Sequence, residues 1–568
     1  MADNYDDYTK DQLLRLLRER DRKPKFGLVW ERDEIEHDKA VNDDFVALDF
    51  IPELSCPSDL SAQNPSDQEQ RNSSPPTFRN LIIEGDNFDA LRFLRMTHAG
   101  KVKCIYIDPP YNTGNRDFIY NDRFIDKDDV YKHSKWLEFM YRRLVVAKEL
   151  LAEDGVIFVS IDDNEVFNLG ALMNRVLGED NHVATCVWQK RYSRENRGAI
   201  GDAHEYLLIF AINPVLFKVR RNKISLTEKQ ISVYKNIDPV HGRWRDIPMS
   251  AQGFRLNQMY EIVAPNGKRH TPPEGRCWST VEPQYLKLFD QGRIYFGKDG
   301  NGTPRIIRYL SEVEGVVPWT WWPHEEVGHT DEARKEIQDI FGTQTAFDTP
   351  KPVRLIERIL RIATKPNDLV VDFFAGSGTT AHAVMKLNAE DGGNRRFILV
   401  SNTEVTDAEP GKNLCRDVCA ERVRRVMRGY TNKKGEAIEG LSGDPSTTLR
   451  TGFAYLRTRR IPAEAVLSRI EHEQVWIALQ LIHTETLQPY ATGSEMQTAE
   501  LPDGKLAYCT KVNEEILGQL LDLAGGNGIV VVYSWQPGWL RQYLPNESIT
   551  VEQIPAFLIN RFGGDYAA

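Results

Sequence analysis

Ile105-Tyr106-Ile107-Asp108-Pro109-Pro110-Tyr111-Asn112 is an apolar, β-branched run closed by an acid, two prolines and an aromatic ring. A short run stopped by proline predicts a buried strand whose carboxyl end carries a loop from Asp108 to Tyr111. In open α/β sheets that edge is where ligands bind. Pro109 and Pro110 have restricted φ and no backbone donor, so the loop is stiff and presents carbonyl acceptors. The Asp108 carboxylate and the Pro109 carbonyl form an acceptor pair suited to an exocyclic amino group. Tyr111 offers a flat face on which a base could stack. Taken alone, the stretch reads equally well as a strand ending in a proline turn.

A second stretch completes the pattern. Residues 368–384 read Asp-Leu-Val-Val-Asp-Phe-Phe-Ala-Gly-Ser-Gly-Thr-Thr-Ala-His-Ala-Val. Leu369 to Phe373 is a predicted strand, Gly376 and Gly378 punctuate a tight loop, and Thr379 to Leu387 is a predicted helix. This order sets backbone N–H groups and a positive helix end beside a ligand. The glycines permit close approach and unusual φ. The loop is too short, and lacks the Lys, for a phosphate-binding Walker loop, and its spacing is not that of a dinucleotide fingerprint.

The tetrapeptide Asp108-Pro109-Pro110-Tyr111 resembles the catalytic motif of DNA methyltransferases that modify exocyclic amino groups. The Asp form is typical of adenine N6 enzymes, and a Ser form is more usual in cytosine N4 enzymes. Phe374, Gly376 and Gly378 resemble the Phe-x-Gly-x-Gly motif that holds S-adenosylmethionine in these proteins. The resemblance sets Asp372, at the end of its strand, and Thr379, at the helix start, beside the same cofactor. The catalytic motif precedes the cofactor motif by well over two hundred residues, which is the permuted order of the β group.

Further segments resemble that family. Glu84-Gly85-Asp86-Asn87 follows an apolar strand, and Asp86 is in the place of the residue that meets the cofactor's adenine; helix capping explains it equally well. Thr349-Pro350-Lys351-Pro352 resembles the segment at the cofactor's methionine end, which brings in Lys351. Glu404, after the strand from Phe397 to Val400, stands where an acid usually binds ribose hydroxyls. Trp188-Gln189-Lys190 and His204-Glu205-Tyr206 resemble segments near the target base. Gln12-Leu13-Leu14 and Val327-Gly328-His329-Thr330 point within the family to the modification subunit of type III restriction systems.

The fold so implied is α/β: a Rossmann-like S-adenosylmethionine-dependent core with an inserted target-recognition region and a small α/β carboxyl-terminal domain. The expected divisions are an amino-terminal helix and linker at 1–78, a catalytic half at 79–214, target recognition at 215–345, a cofactor half at 346–430, and an assembly domain at 431–568. The implied partners are double-stranded DNA and, for the last domain, a helicase-nuclease restriction subunit or a second copy of the chain.

Composition sets bounds on this reading. With 568 residues and 41% hydrophobic content the chain can bury a large core, and no apolar run is long enough to span a bilayer. The acidic start Met1-Ala-Asp-Asn-Tyr-Asp-Asp is unlike a signal peptide, so a cytoplasmic protein is expected. The seven cysteines are scattered. Cys415 and Cys419 share a helix face more readily than a zinc ion, and no metal is expected. A net charge of -10 argues mildly against nucleic acid, but local charge matters more. Lys190, Arg191, Arg194 and Arg197 open a basic tract expected to meet the DNA backbone. A second tract around Arg422, Arg424, Arg425 and Arg428 reads equally as a solvated helix face. Trp319, Trp321 and Trp322, flanked by prolines, are read as core or seam residues before base-stacking ones. Two rivals stay open: a recognition subunit for a partner nuclease that does not turn over, and methylation of cytosine or RNA.

Overall fold

The computed structural model describes residues 9–10, 28–32, 35, 37, 42–57, 76–120, 123–193, 199–342, 347–404, 411–441, 452–525, 528–544 and 547–554. The amino-terminal helix expected after Thr9, the linker from Pro57 to Pro76, and Arg194 and Arg197 lie wholly or largely outside these residues. The chain divides into two compact units, one of Met1–Arg221 with Trp319–Ala568 and one of Asn222–Pro318.

The first unit is built on one ten-stranded sheet. In chain order its elements are β1 (Phe45–Phe50), β2 (Asn80–Glu84), α1 (Asn87–His98), β3 (Val102–Ile107), α2 (Lys132–Leu150), β4 (Leu151–Ile161), α3 (Val166–Leu177), β5 (His182–Gln189), β6 (His204–Ala211) and β7 (Trp321–Trp322). They continue with α4 (Val353–Ala363), β8 (Leu369–Asp372), α5 (Thr379–Asp391), β9 (Arg396–Ser401) and β10 (Phe453–Ile461). The spatial order is β1-β10-β2-β9-β8-β3-β4-β6-β5-β7. The six strands from β10 to β4 are parallel; β1 and β6 flank them antiparallel. Every residue of β2, β3 and β8 is buried, as continuous apolar strands covered on both faces must be. The helix α4 covers part of that sheet with Leu355, Ile356, Ile359 and Leu360, apolar residues at helical spacing that are all buried.

The topology fixes where a ligand can sit. From β3 the chain continues through α2 to its neighbour β4; from β8 it continues through α5 to β9, on the other side. The winding therefore reverses between β3 and β8, which pair through Cys104–Val370 and Ile105–Val371. The carboxyl ends at such a reversal open a crevice. Asp108 leaves one strand there and Asp372 ends the other.

Three expected divisions differ from the observed ones. The core sheet is not confined to 79–430, because β10 pairs with β2 and β1 pairs with β10. Phe453, Ala454, Tyr455 and Leu456 are wholly buried in that position. Residues 319–342 group with the core: Trp321–Trp322 pairs with β5, and the helix Thr330–Phe341 buries Ala333, Ile337 and Ile340. The small carboxyl-terminal α/β sheet begins only at Met496, with strands Met496–Leu501, Gly504–Cys509, Ile529–Ser534 and Ile549–Gln553.

The second unit has its own four-stranded antiparallel sheet and a core of Met249, Ile262, Ala264, Trp278, Tyr285 and Phe296. Among the described residues no helix is long and apolar enough to cross a membrane.

Candidate active site

The loop after β3 is anchored from behind. Trp136 of α2 donates its indole N–H to the Pro110 carbonyl at 2.7 Å. Asn112 is fully buried at φ +58°, a conformation that Asn tolerates better than most residues. Its amide donates to Glu165 Oε1 at 2.5 Å and to the Lys132 carbonyl at 3.2 Å. Glu165 is itself held by His133 Nδ1 at 2.6 Å and by Asn168 Nδ2 at 2.7 Å. Pro110 and Asn112 are thus fixed, while among the described residues the Pro109 carbonyl accepts no hydrogen bond.

In front of the loop lies a cluster of two acids and two lysines. Lys351 Nζ donates to both Asp108 oxygens at 2.8 Å and to the Tyr111 hydroxyl at 2.9 Å. It also lies 3.4 Å from Glu205 Oε2. The Tyr111 hydroxyl is 2.9 Å from Asp108 Oδ1 and 2.9 Å from Glu205 Oε2. The ammonium sits 4.9 Å from the Tyr111 ring centre and 5.9 Å from that of Trp188. Lys190 Nζ approaches Glu205 Oε1 at 3.4 Å and Asp202 at 2.9 Å. Burial pushes the Asp108 carboxyl above its usual range; the Lys351 ammonium pulls it back and the Glu205 charge pushes it up again. Burial works against the Lys351 ammonium, but the two carboxylates more than offset this and leave its pKa above the ordinary value. Burial, with the charges of Asp108 and Glu205, holds the Tyr111 hydroxyl well above its usual range.

Across the crevice, the turn after β8 is set by backbone geometry. Gly376 and Gly378 have φ of +48° and +76°. A Cβ on Gly378 would lie 3.0 Å from the Cys419 carbonyl and 3.3 Å from its sulfur, so the helical segment 415–420 requires glycine there. The amides of Gly376 and Ser377 make no hydrogen bond among the described residues, and α5 starts directly after them. Asp372 accepts the Phe374 N–H at 3.0 Å on one oxygen and the Thr380 hydroxyl at 2.5 Å on the other. Burial raises its pKa to about 7, against the pull of these two donors. Beneath the turn Arg422 is fully buried and donates to Ser377 Oγ at 3.1 Å and Thr379 Oγ1 at 2.8 Å.

The structure brings most of the expected residues to one sheet edge but gives several of them other partners. Asp108, Tyr111 and Lys351 meet directly, and Phe374, Gly376 and Gly378 form the facing turn. Asp372 and Thr379 brace that turn from within. Asp86 caps α1 through the Phe88 N–H at 2.8 Å and pairs with Arg143 at 3.2 Å, which is the capping alternative. Glu404, beyond β9, takes φ +51° and pairs with Lys412 at 3.1 Å. Lys190 turns inward to Glu205 and Asp202 and is not a free cation of the surface; Arg191 is exposed. The second basic tract is only partly a solvated face: Arg422 is buried, Arg424 and Arg425 donate to the Leu54 and Ile340 carbonyls, and Arg428 is exposed. Of the tryptophans, Trp322 is in the core while Trp319 and Trp321 are exposed. Trp136 is a site residue that sequence reading did not name, while Glu205 was read only within a segment near the target base and Arg422 only as part of a basic tract.

Comparison with known proteins identifies the family of the chain. A family model described as DNA methylase, of the N6/N4 methyltransferase type, matches residues 102–404, just over half of the chain. The chain is 34% identical over 445 residues to the Mod subunit of the type III restriction-modification enzyme StyLTI of Salmonella typhimurium, covering 73% of this chain and 65% of that protein. It is 31% identical over 444 residues to the EcoPI Mod subunit of Escherichia phage P1, covering 67% of each. It is 31% identical over 399 residues to the type II methyltransferase M.KpnI of Klebsiella pneumoniae, covering 65% of this chain and 93% of that one. The chain spans about two thirds of the length of the type III relatives.

Proposed function

Because this chain belongs to the N6/N4 DNA methylase family, we propose that it methylates N6 of an adenine in duplex DNA with S-adenosylmethionine as donor. The observation that carries the proposal is the meeting of two sequence-distant loops at the winding reversal. One offers a stiff pair of acceptors beside an aromatic ring, and the other a glycine turn with two unclaimed amides at a helix start. The fit to the cofactor rests on that turn: positive φ at Gly376 and Gly378 sets its shape, and the unclaimed amides of Gly376 and Ser377 suit the cofactor's polar end. Phe374 and the carboxyl ends of β2 and β9 would flank it. When bound, the cofactor supplies an electrophilic methyl group on a sulfonium.

This chain's residues do the rest. Adenine N6 is a poor nucleophile because its lone pair is delocalised into the ring. Hydrogen bonds to Asp108 and the Pro109 carbonyl favour the pyramidal nitrogen of the transition state, where the gain accelerates the reaction. Fixing Pro110 through Trp136 and Asn112 through Glu165 keeps these acceptors in place. Inside a duplex N6 cannot be attacked, so the base must leave the stack and lie on Tyr111. Unstacking costs a few kcal/mol, and stacking on one aromatic side chain returns roughly 1–3 kcal/mol. Asp at 108, in place of Ser, favours adenine over cytosine, and the intact loop and turn favour turnover over bare recognition.

The separate unit Asn222–Pro318, inserted between the two halves, is assigned to reading the target sequence. The similarity to Mod subunits supports a role in the cytoplasm beside a helicase-nuclease subunit, with the carboxyl-terminal sheet as the assembly element. Long-read sequencing of host DNA with and without this gene tests the proposal. It predicts N6-methyladenine at one short sequence context in the gene's presence, and an unchanged adenine pattern would contradict it.

A further inference from the structure

Glu205 stands on β6 opposite Trp188 of β5, and it is 8% exposed. Its Oε2 faces the same two donors that occupy Asp108. The Tyr111 hydroxyl lies 2.9 Å from an oxygen of each acid, yet it has one proton and donates to one of them at a time. Lys351 Nζ lies 2.8 Å from Asp108 and 3.4 Å from Glu205, held between the Tyr111 and Trp188 rings. Lys190 approaches the other Glu205 oxygen at 3.4 Å, so a cation stays beside the second acid when its Oε2 changes partner.

This arrangement bears on the reaction. A carboxylate whose two oxygens are taken up by an ammonium is a weak acceptor for an incoming amino group. The acid that must polarise N6 is the one Lys351 now holds. Moving the ammonium into water would cost it its buried partner, whereas moving it toward Glu205 keeps it paired throughout.

Resting on the proposed methyl transfer, we infer that Glu205 is a positioning residue: it takes over Lys351 and the Tyr111 hydroxyl when Asp108 receives the target amino group. Glu205 acts through those two donors and does not itself touch the adenine. The residue is therefore needed for turnover more than for holding either substrate.

The test compares Glu205→Gln and Glu205→Asp with the full-length wild-type chain on DNA that carries its target site. Glu205→Gln keeps the shape and a neutral acceptor for Tyr111 but has no charge with which to pair the ammonium. The expected result is a fall in kcat of about 10-fold or more, with cofactor affinity and DNA affinity within about threefold of wild type. Glu205→Asp restores part of the loss, and both variants melt like the wild type. A Glu205→Gln variant whose kcat stays within about threefold of wild type overturns the inference. So does a loss of cofactor binding in step with activity, or a fall in melting temperature in both variants, since either makes Glu205 a structural residue. A wild-type chain that transfers no methyl group to its DNA would instead refute the parent proposal, whatever the variants do.

Discussion

Replacing Asp372 by Asn should stabilise the protein at alkaline pH and leave it nearly unchanged in acid. Asp372 is 3% exposed, and burial lifts its pKa from the ordinary 3.8 to about 7. In the unfolded chain the group loses its proton near pH 4. Between those values the folded protein binds the extra proton, so stability falls as pH rises, and the loss levels off above about pH 7. At 1.36 kcal/mol per pKa unit, the carboxyl penalises folding by about 3 kcal/mol between pH 5 and pH 8. Asn is close in shape and still accepts the Phe374 N–H, but it never ionises. The assay is the difference in thermal or urea unfolding between variant and wild type at each pH from 5 to 8.5, in which the other titrating groups cancel. The difference should grow in favour of the variant up to pH 7 and then flatten. A flat difference, or one that favours the wild type at pH 8, would refute a buried, destabilised carboxyl. Because both Asp372 oxygens serve the loop, cofactor affinity should change only a few-fold in the same variant.

Other perturbations follow from the same contacts. Gly378→Ala introduces a Cβ 3.0 Å from the Cys419 carbonyl at φ +76°. It should cost roughly 1–3 kcal/mol and weaken cofactor binding in equilibrium dialysis; unchanged stability would show that the turn can yield. Trp136→Phe removes the donor from the Pro110 carbonyl and should cost about 1–3 kcal/mol, with kcat falling more than KM rises; intact kinetics would mean that the loop does not depend on this anchor. Lys351→Met leaves Asp108 and Glu205 without their shared ammonium and should destabilise the fold by about 3 kcal/mol. Because Lys351 is what pulls Asp108 down against burial, the acid limb of any residual pH–rate profile should move to higher pH, and a limb that stays in place contradicts that coupling.

The halves of the site were legible in the sequence because each is a local pattern. β3 and β8 are short apolar runs ended by turn-forming residues, and α4 repeats its apolar residues every third or fourth position. Their adjacency carries no local signal. Asp108 and Lys351 are 243 residues apart, and it is the parallel pairing of β3 with β8 that brings their loops to one crevice. β1 and β10 fell outside the expected core because each lies beyond the segments that carry motifs, although Phe45-Val46-Ala47-Leu48 and Phe453-Ala454-Tyr455-Leu456 are apolar runs. Glu205 had a signal: an acid near the start of a strand that runs on through Tyr206 into Leu, Ile, Phe and Ala is seldom buried without a partner. Arg422 had one too, since it stands four residues before Val426 and next to Val423 on the buried side of its helix. Counting charges along the helix hides that face. The inward turn of Lys190 had none, because it depends on the pairing of Trp188 with Glu205 across two strands.

The most direct measurement is methyl transfer from labelled S-adenosylmethionine to duplex DNA of mixed sequence, followed by nucleoside analysis, with Asp108→Ala in parallel. The label should appear in N6-methyl-2′-deoxyadenosine for the wild type and fall by about 100-fold or more for the variant, given one lost acceptor at the reacting nitrogen. Label in N4-methylcytosine, no label on DNA bearing the sites, or an Asp108→Ala variant as active as wild type would contradict the account.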